Sequence, residues 1–491
     1  MFYRVILKQS IGIAVVVFWC VMNVLLIKRQ LWAPPPPLFV SATETLTAAS
    51  QEWWGVYYHG EKIGFTSQSI EPNENGYQLR DESLLRLNLL GTTQRASTRL
   101  SMDVDKEWVL KDFSFELLSN DIRFQSRGKV FPGQLNLEIE SAGHTSKQII
   151  ALTQPPYLAA ALKPLVATQQ LEPGKEHFFT IFDPGTLAHQ ITSVVIEARE
   201  QIVINDQKVP AIRLRQRFKG ISVVSWIDGN GRTLKEESPG GFALRQESPP
   251  EAKSFADSRA VPLDLIARAS IAVGESISQP QSRNKLRLRL SGMNVVNFAL
   301  DGERQKLTED VLRIEREQVS PFDTYKIPLK DRRLASFLQP TAFLQSDHPA
   351  IRDHAIQILG PETDAHRAVL RLKDWVYDNL KKQPTISIPN ALQVLETKTG
   401  DCNEHTVLFN ALARAAGIPA KTVVGMVYLR GAFYYHAWSE VWLGKWVSLD
   451  SVLNQFPADV THVKFIEGEI DRQLDMLQLI GNLRIEVPEQ E

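Results

Sequence analysis

The sequence predicts an α+β protein with an amino-terminal membrane helix, a large antiparallel β domain and a smaller carboxy-terminal α+β domain. Three observations predict it. Residues 11–27 (IGIAVVVFWCVMNVLLI) carry no charged side chain, a run at the short end of what spans a bilayer. Residues 53–246 break into short runs in which apolar and polar side chains alternate, the pattern of half-buried strands. From residue 347 the apolar period lengthens from two to about 3.6 residues, the period of a helix. At 491 residues the chain exceeds what one hydrophobic core covers, so several folded units are expected. The expected divisions are 1–10, a cytoplasmic amino terminus; 11–30, a signal anchor; 31–50, a proline-rich spacer; 51–248, the β domain; 249–283, a linker; 284–345, a small β connection; 346–470, the α+β domain; and 471–491, a tail.

Arg4 and Lys8 precede the apolar run, and Lys28 and Arg29 follow it. The sequence after it, KRQLWAPPPP, lacks the small-residue pattern of a leader cleavage site, so an uncleaved single-pass anchor is expected. The basic residues balance across the run and do not orient it. Its short leading segment favours a cytoplasmic terminus, with the bulk of the chain on the periplasmic or other extracytoplasmic side. Pro34, Pro35, Pro36 and Pro37 cannot continue a helix and favour an extended spacer. With 55 basic and 56 acidic residues the chain has no bulk field, and nucleic acid is not an expected partner. There are two cysteines, and Cys20 lies in the apolar run, so a disulfide framework is excluded and Cys402 is the one thiol of the folded part.

In the β region His59-Gly60-Glu61-Lys62 and Asp228-Gly229-Asn230-Gly231 read as hairpin connections. The apolar stretch 157–167 reads as a short helix packed on the sheet, with Pro164 expected to interrupt it. A region of this size suits a curved sheet or open barrel, either a platform or an enclosure for a lipid or peptide. Residues 249–282 mix prolines, serines and small side chains around a short helix at 263–269. KLRLRLSG and NVVNFALDG alternate as strands. In the last domain Ile351, Ala355 and Ile358 form one helical stripe, and Val369, Leu372, Val376 and Leu380 the next.

The most informative segment is TKTGDCNEHTVLFNALARAAGIPA. Val407, Leu408, Ala411, Leu412 and Ala415 make a helical face, and Gly417 with Pro419 stops it. Cys402 therefore stands at the start of a helix, where unpaired N–H groups are expected to favour a thiolate. KTVVGMVYL, FYYHAWSEVWL and WVSLD follow as strands, placing His436 on the second and Asp450 at the end of the third. Neighbouring antiparallel strands can bring a His and an Asp side by side, and a helix-tip cysteine can meet that imidazole.

GDCNEHTVLFNALARAAGIPAKTVVG, HAWSEVW and KWVSLDSVLNQF, in that order, resemble the transglutaminase-like superfamily, whose fold is similar to papain's. The resemblance covers about a quarter of the chain and does not reach the β domain. It implies that Cys402 is a nucleophile, His436 a general base and acid, and Asp450 the group that fixes the imidazole tautomer. The implied chemistry is acyl transfer through a thioester, resolved by water or by an amine; the sequence leaves that choice open. The Cys402 N–H is the natural first oxyanion donor, and Trp375, Gln383 and Gln393 are upstream polar residues without an assigned role. His405 shares with Cys402 a spacing that metal ligands use, yet no second cysteine is at hand for a structural zinc site, and no calcium-loop motif occurs. Neither metal nor cofactor is expected. The expected substrate is a peptide or protein amide. The competing reading is a cell-envelope binding or scaffold protein that retains the fold without turnover. The oligomeric state is open.

Overall fold

The computed structural model describes residues 49–488 apart from 121, 170, 205, 239–240, 256–263 and 321–323. The anchor expected at 11–30, the residues before it and most of the spacer lie outside the described residues. Among the described residues no helix is long and apolar enough to cross a membrane.

The fold is mixed and dominated by one antiparallel sheet. A first meander contains β1 (Ser50–Tyr58), β2 (Glu61–Asn73), β3 (Gly76–Leu89), β4 (Thr92–Val104), β5 (Leu110–Ser119), β6 (Ile122–Phe131), β7 (Gln134–Ser141) and β8 (His144–Ala151). A second contains β9 (Glu176–Asp183), β10 (Ala188–Ile204), β11 (Gln207–Phe218), β12 (Ile221–Ile227), β13 (Thr233–Glu237) and β14 (Phe242–Gln246). Pairing of β1 with β14 fuses them into a fourteen-stranded sheet with β8 and β9 at its edges. Tight turns make the meanders possible: His59 and Gly60 both have positive φ, as a two-residue hairpin requires.

The helix Ala159–Thr168 connects the two edges. Its Ala161, Leu162 and Leu165 share a core with Leu135 and Leu137 of β7 and Phe182 of β9. Strands near opposite edges thus meet one helix, so the sheet curls around it. Pro164 does not interrupt this helix, contrary to expectation. The missing N–H costs one hydrogen bond, while burial of Leu162, Leu165 and Val166 on both sides of the proline holds the turn in place. Ile139, two residues beyond Leu137 on the same face of β7, packs with Ala96, Leu117 and Phe124 against Phe343 and Ile388 of the later domain. The curled face is therefore filled at one end by its own helix and closed at the other by the carboxy-terminal part of the chain.

After helices at Pro249–Ser254 and Leu265–Ala269 comes the short β15 (Ile271–Ala272), followed by β16 (Lys285–Ser291), β17 (Gln305–Thr308) and β18 (Val311–Glu315). The run NVVNFALDG, expected as a strand, is irregular. Its buried or half-buried side chains Val295, Phe298 and Leu300 fall at uneven spacing, Val296 is exposed, and the Phe298 N–H turns back to the Val295 carbonyl. Strand pairing needs a period of two, which β17 and β18 supply instead.

The last part is helical and then stranded. The helices Pro349–Leu359, Ala365–Asn379 and Cys402–Ala415 bury Ile351, Ala355, Val369, Leu372, Val376, Leu408 and Leu412 in one core. Leu359 rather than Ile358 completes the first stripe. The two-residue strands β19 (Lys381–Lys382) and β20 (Thr399–Gly400) pair in parallel on either side of the helix Ala391–Thr397. β21 (Ala420–Leu429), β22 (Ala432–Trp442), β23 (Trp446–Leu449) and β24 (Val463–Glu467) form a second sheet with β15. β25 (Arg484–Glu486), in the stretch expected as a tail, pairs with β16.

Candidate active site

Cys402 is the first residue of its helix, capped by Asp401. The Asp401 carboxylate accepts the Asn403 N–H at 2.9 Å, and the Glu404 carboxylate accepts the Asp401 N–H at 2.9 Å, a reciprocal capping box. The thiol is half-buried and packs beside Tyr435 in the core under β21 and β22. Burial pushes it well up, Asp401 pushes the same way, the Ala437 N–H works against them, and Glu404 and Asp450 add to the rise. The sequence expectation of a stabilised thiolate is thus reversed. The Asn403 N–H is already taken by the capping Asp401 carboxylate, and Asp401 and Glu404 bring negative charge to the sulfur instead of relieving it. Asp401 is itself raised well above the usual carboxylate range by burial and by Glu404 beside it.

His436, on β22, lies across from Gly425 of β21. Its Nε2 is 2.6 Å from Asp450 Oδ2, and both side chains are buried. Asp450 follows β23, where its backbone exchanges hydrogen bonds with Gln455. Asp450 Oδ1 accepts the Val452 and Leu453 N–H groups at 2.7 and 2.8 Å. Burial opposes ionisation of Asp450, yet its ion pairs and hydrogen bonds with His436 and His462 hold the carboxyl far below its ordinary range.

The structure therefore brings His436 and Asp450 into direct contact, and it sets Cys402 against the two strand neighbours of His436, Tyr435 and Ala437. Among the described residues no hydrogen bond joins the thiol to the His436 ring. Of the other residues singled out in sequence, His405 places Nδ1 2.7 Å from the Asp401 carbonyl, while its buried Nε2 has no partner. Gln393 accepts from Ser141 at the seam with the β domain, and Trp375 packs edge-on against His354. Gln383 is tied through its backbone to Gly400, two residues before the cysteine.

Sequence reasoning missed His462. It is fully buried, with Nε2 3.0 Å from Asp450 Oδ2 and Nδ1 3.2 Å from Asp459 Oδ1. The only signal was a histidine in the apolar run VTHVKFI, which does not tell a ligand from core. His436, Asp450 and His462 each offer one ligand atom, all within 4.8 Å of one another. These are the atoms already joined by hydrogen bonds, so a cation would have to displace those bonds to enter.

Residues 352–451 match the transglutaminase-like superfamily, a span that contains all three sequence-predicted site residues. No curated protein matches the chain. Among solved structures, a candidate cysteine protease from Cytophaga hutchinsonii is similar at 17% identity, covering 41% of this chain and 83% of its own, with a TM-score of 0.27. The periplasmic domain of TgpA from Pseudomonas aeruginosa, bound to ethylmercury, is similar at 19% identity, covering 40% of this chain and 78% of its own, with a TM-score of 0.23. A β-barrel-like protein of unknown function from Brucella abortus is similar at 11% identity, covering 40% of this chain and 94% of its own, with a TM-score of 0.33.

Proposed function

From a carboxy-terminal domain of the transglutaminase-like superfamily, we propose that the protein is a membrane-anchored thiol acyl-transfer enzyme acting on peptide or protein amides. The observation that carries this reading is the buried His436–Asp450 pair at 2.6 Å, on the strand against which the helix-tip Cys402 packs. Asp450 engages Nε2, so Nδ1 is the nitrogen left to take the thiol proton. The Cys402 sulfur then bonds the amide carbonyl carbon, His436 returns the proton to the departing amine as the C–N bond breaks, and a thioester remains. Water or a second amine attacks the thioester and regenerates the thiol. Because burial and carboxylates disfavour a free thiolate, deprotonation is coupled to attack rather than preceding it. The apolar run 11–27 supports the anchor, with the folded domains on the extracytoplasmic side.

The test is incubation with a glutamine-containing protein and a fluorescent primary amine, with ammonia and new peptide termini followed in parallel. Label incorporation identifies transfer, and new termini identify hydrolysis. Wild-type turnover by Cys402→Ala would remove this assignment. The scaffold reading draws on the acidic surroundings of Cys402 and on the missing thiol–imidazole hydrogen bond. It requires a thiol whose alkylation rate is indifferent to His436→Ala.

A further inference from the structure

Resting on the acyl-transfer reading, we propose that His462 is a positioning residue of the site, a buried imidazolium that orients Asp450 and so holds the Asp450 carboxylate on His436. Its two ring nitrogens face acceptors only: Nε2 meets Asp450 Oδ2 at 3.0 Å, and Nδ1 meets Asp459 Oδ1 at 3.2 Å and the Asp459 carbonyl at 3.3 Å. Both carboxylates are surrounded by donors. Asp450 Oδ1 accepts from the Val452 and Leu453 N–H groups. Asp459 Oδ1 accepts from the Thr461 N–H at 2.9 Å and the Thr461 hydroxyl at 2.6 Å, and its Oδ2 from the Gln455 amide at 2.9 Å. Carboxylates so placed are ionised acceptors, and a histidine between two of them must donate from both nitrogens.

The surrounding groups agree. Arg304 donates to the Ala458 and Asp459 carbonyls and to Glu317, pinning the loop that carries Asp459. Farther along β24, Lys464 and Glu440 belong to a separate ion-pair network with Lys421 and Glu467. Trp438 and His436 complete the walls, with ring centroids 5.2 and 5.7 Å from His462. One imidazolium between two carboxylates leaves a single negative charge. The one-oxygen bridge also fixes the Asp450 carboxylate at both ends, so Oδ2 stays on His436 Nε2.

Selective 15N-histidine labelling of the full chain reads the charge directly, with His462→Gln assigning the signal. The expected wild-type result is one ring carrying protons on both nitrogens at about pH 7, where a free histidine is largely neutral. A His462 ring with a bare nitrogen at that pH overturns the proposal. In kinetics, His462→Gln is expected to lower kcat by about tenfold or more with KM little changed, because Asp450 loses a donor that fixes its Oδ2 on His436 Nε2. An unchanged kcat also overturns it. Failure of the acyl-transfer reading would show separately, as turnover retained by Cys402→Ala.

Discussion

At the scale of the residue, the site joins a suppressed thiol to a fully ionised aspartate, and each makes a prediction. Cys402→Ala is expected to end acyl-enzyme formation with the fold intact, and Asp450→Asn to lower turnover by up to about 10⁴-fold while some thiol reactivity survives. The double variant should cost little more than Cys402→Ala alone, since the members act as a unit; additive losses in steady-state rates would separate them. Asp401→Asn keeps a competent helix cap and removes the carboxylate that most raises the thiol after burial. Iodoacetamide alkylation of Cys402 should then reach half its limiting rate at a lower pH than in the wild type; an unchanged profile would clear Asp401 of that effect. In the β domain, burial is the main cause that pushes Glu52 up to about 7, with Arg232 opposing it. The folded state therefore holds a proton that the unfolded state has released above about pH 4, so stability falls as pH rises through that window. Glu52→Gln is expected to raise Tm at about pH 8 and leave it unchanged at about pH 4. The same gain at both would exclude a charge effect.

At the scale of the element, the segment between the helices Ala365–Asn379 and Ala391–Thr397 links the two large units. Pro384 accepts from the Gln94 side chain at 3.1 Å, and Ile388 enters the closed end of the curled sheet. The Asn390 side chain caps the next helix while donating to Ser141. Ser387 donates to Glu404, which caps the helix of Cys402. A chain of contacts thus runs from β4 and β7 to the helix that begins at Cys402. Ile388→Ala is expected to destabilise by about 2–5 kcal/mol as a buried large-to-small change. If the contact chain matters, it should also alter the alkylation profile of Cys402. Urea unfolding measures the first effect, and a stability loss with an unaltered thiol would confine Ile388 to packing.

At the scale of the whole molecule, the β domain, the connecting strands and the transglutaminase-like domain share interfaces. The last described strand returns to pair with β16, well before Cys402, His436 and Asp450 in sequence. If residues 11–27 span a bilayer, the full chain should stay in membranes through alkaline carbonate washing, and deletion through Gln30 should release a soluble protein, since among the described residues no other helix is apolar and long enough to span. A wild-type chain that washes free would refute the anchor.

Periodicity alone located the β region, the helical stripes of Ile351 and Val369, and the order helix-tip Cys402, strand His436, strand-end Asp450, because period and order are written along the chain. Tertiary structure decided what periodicity does not carry. The irregular course of 294–302 depends on the core it faces. The continuity of the helix through Pro164 depends on burial that outweighs one lost hydrogen bond. The suppressed thiol depends on carboxylates whose charges count only once they are buried beside it. His462 became visible only when a turn brought Asp459 and Asp450 to opposite sides of one ring. Electrostatics of a buried site is set by distance through space, and distance along the chain does not predict it.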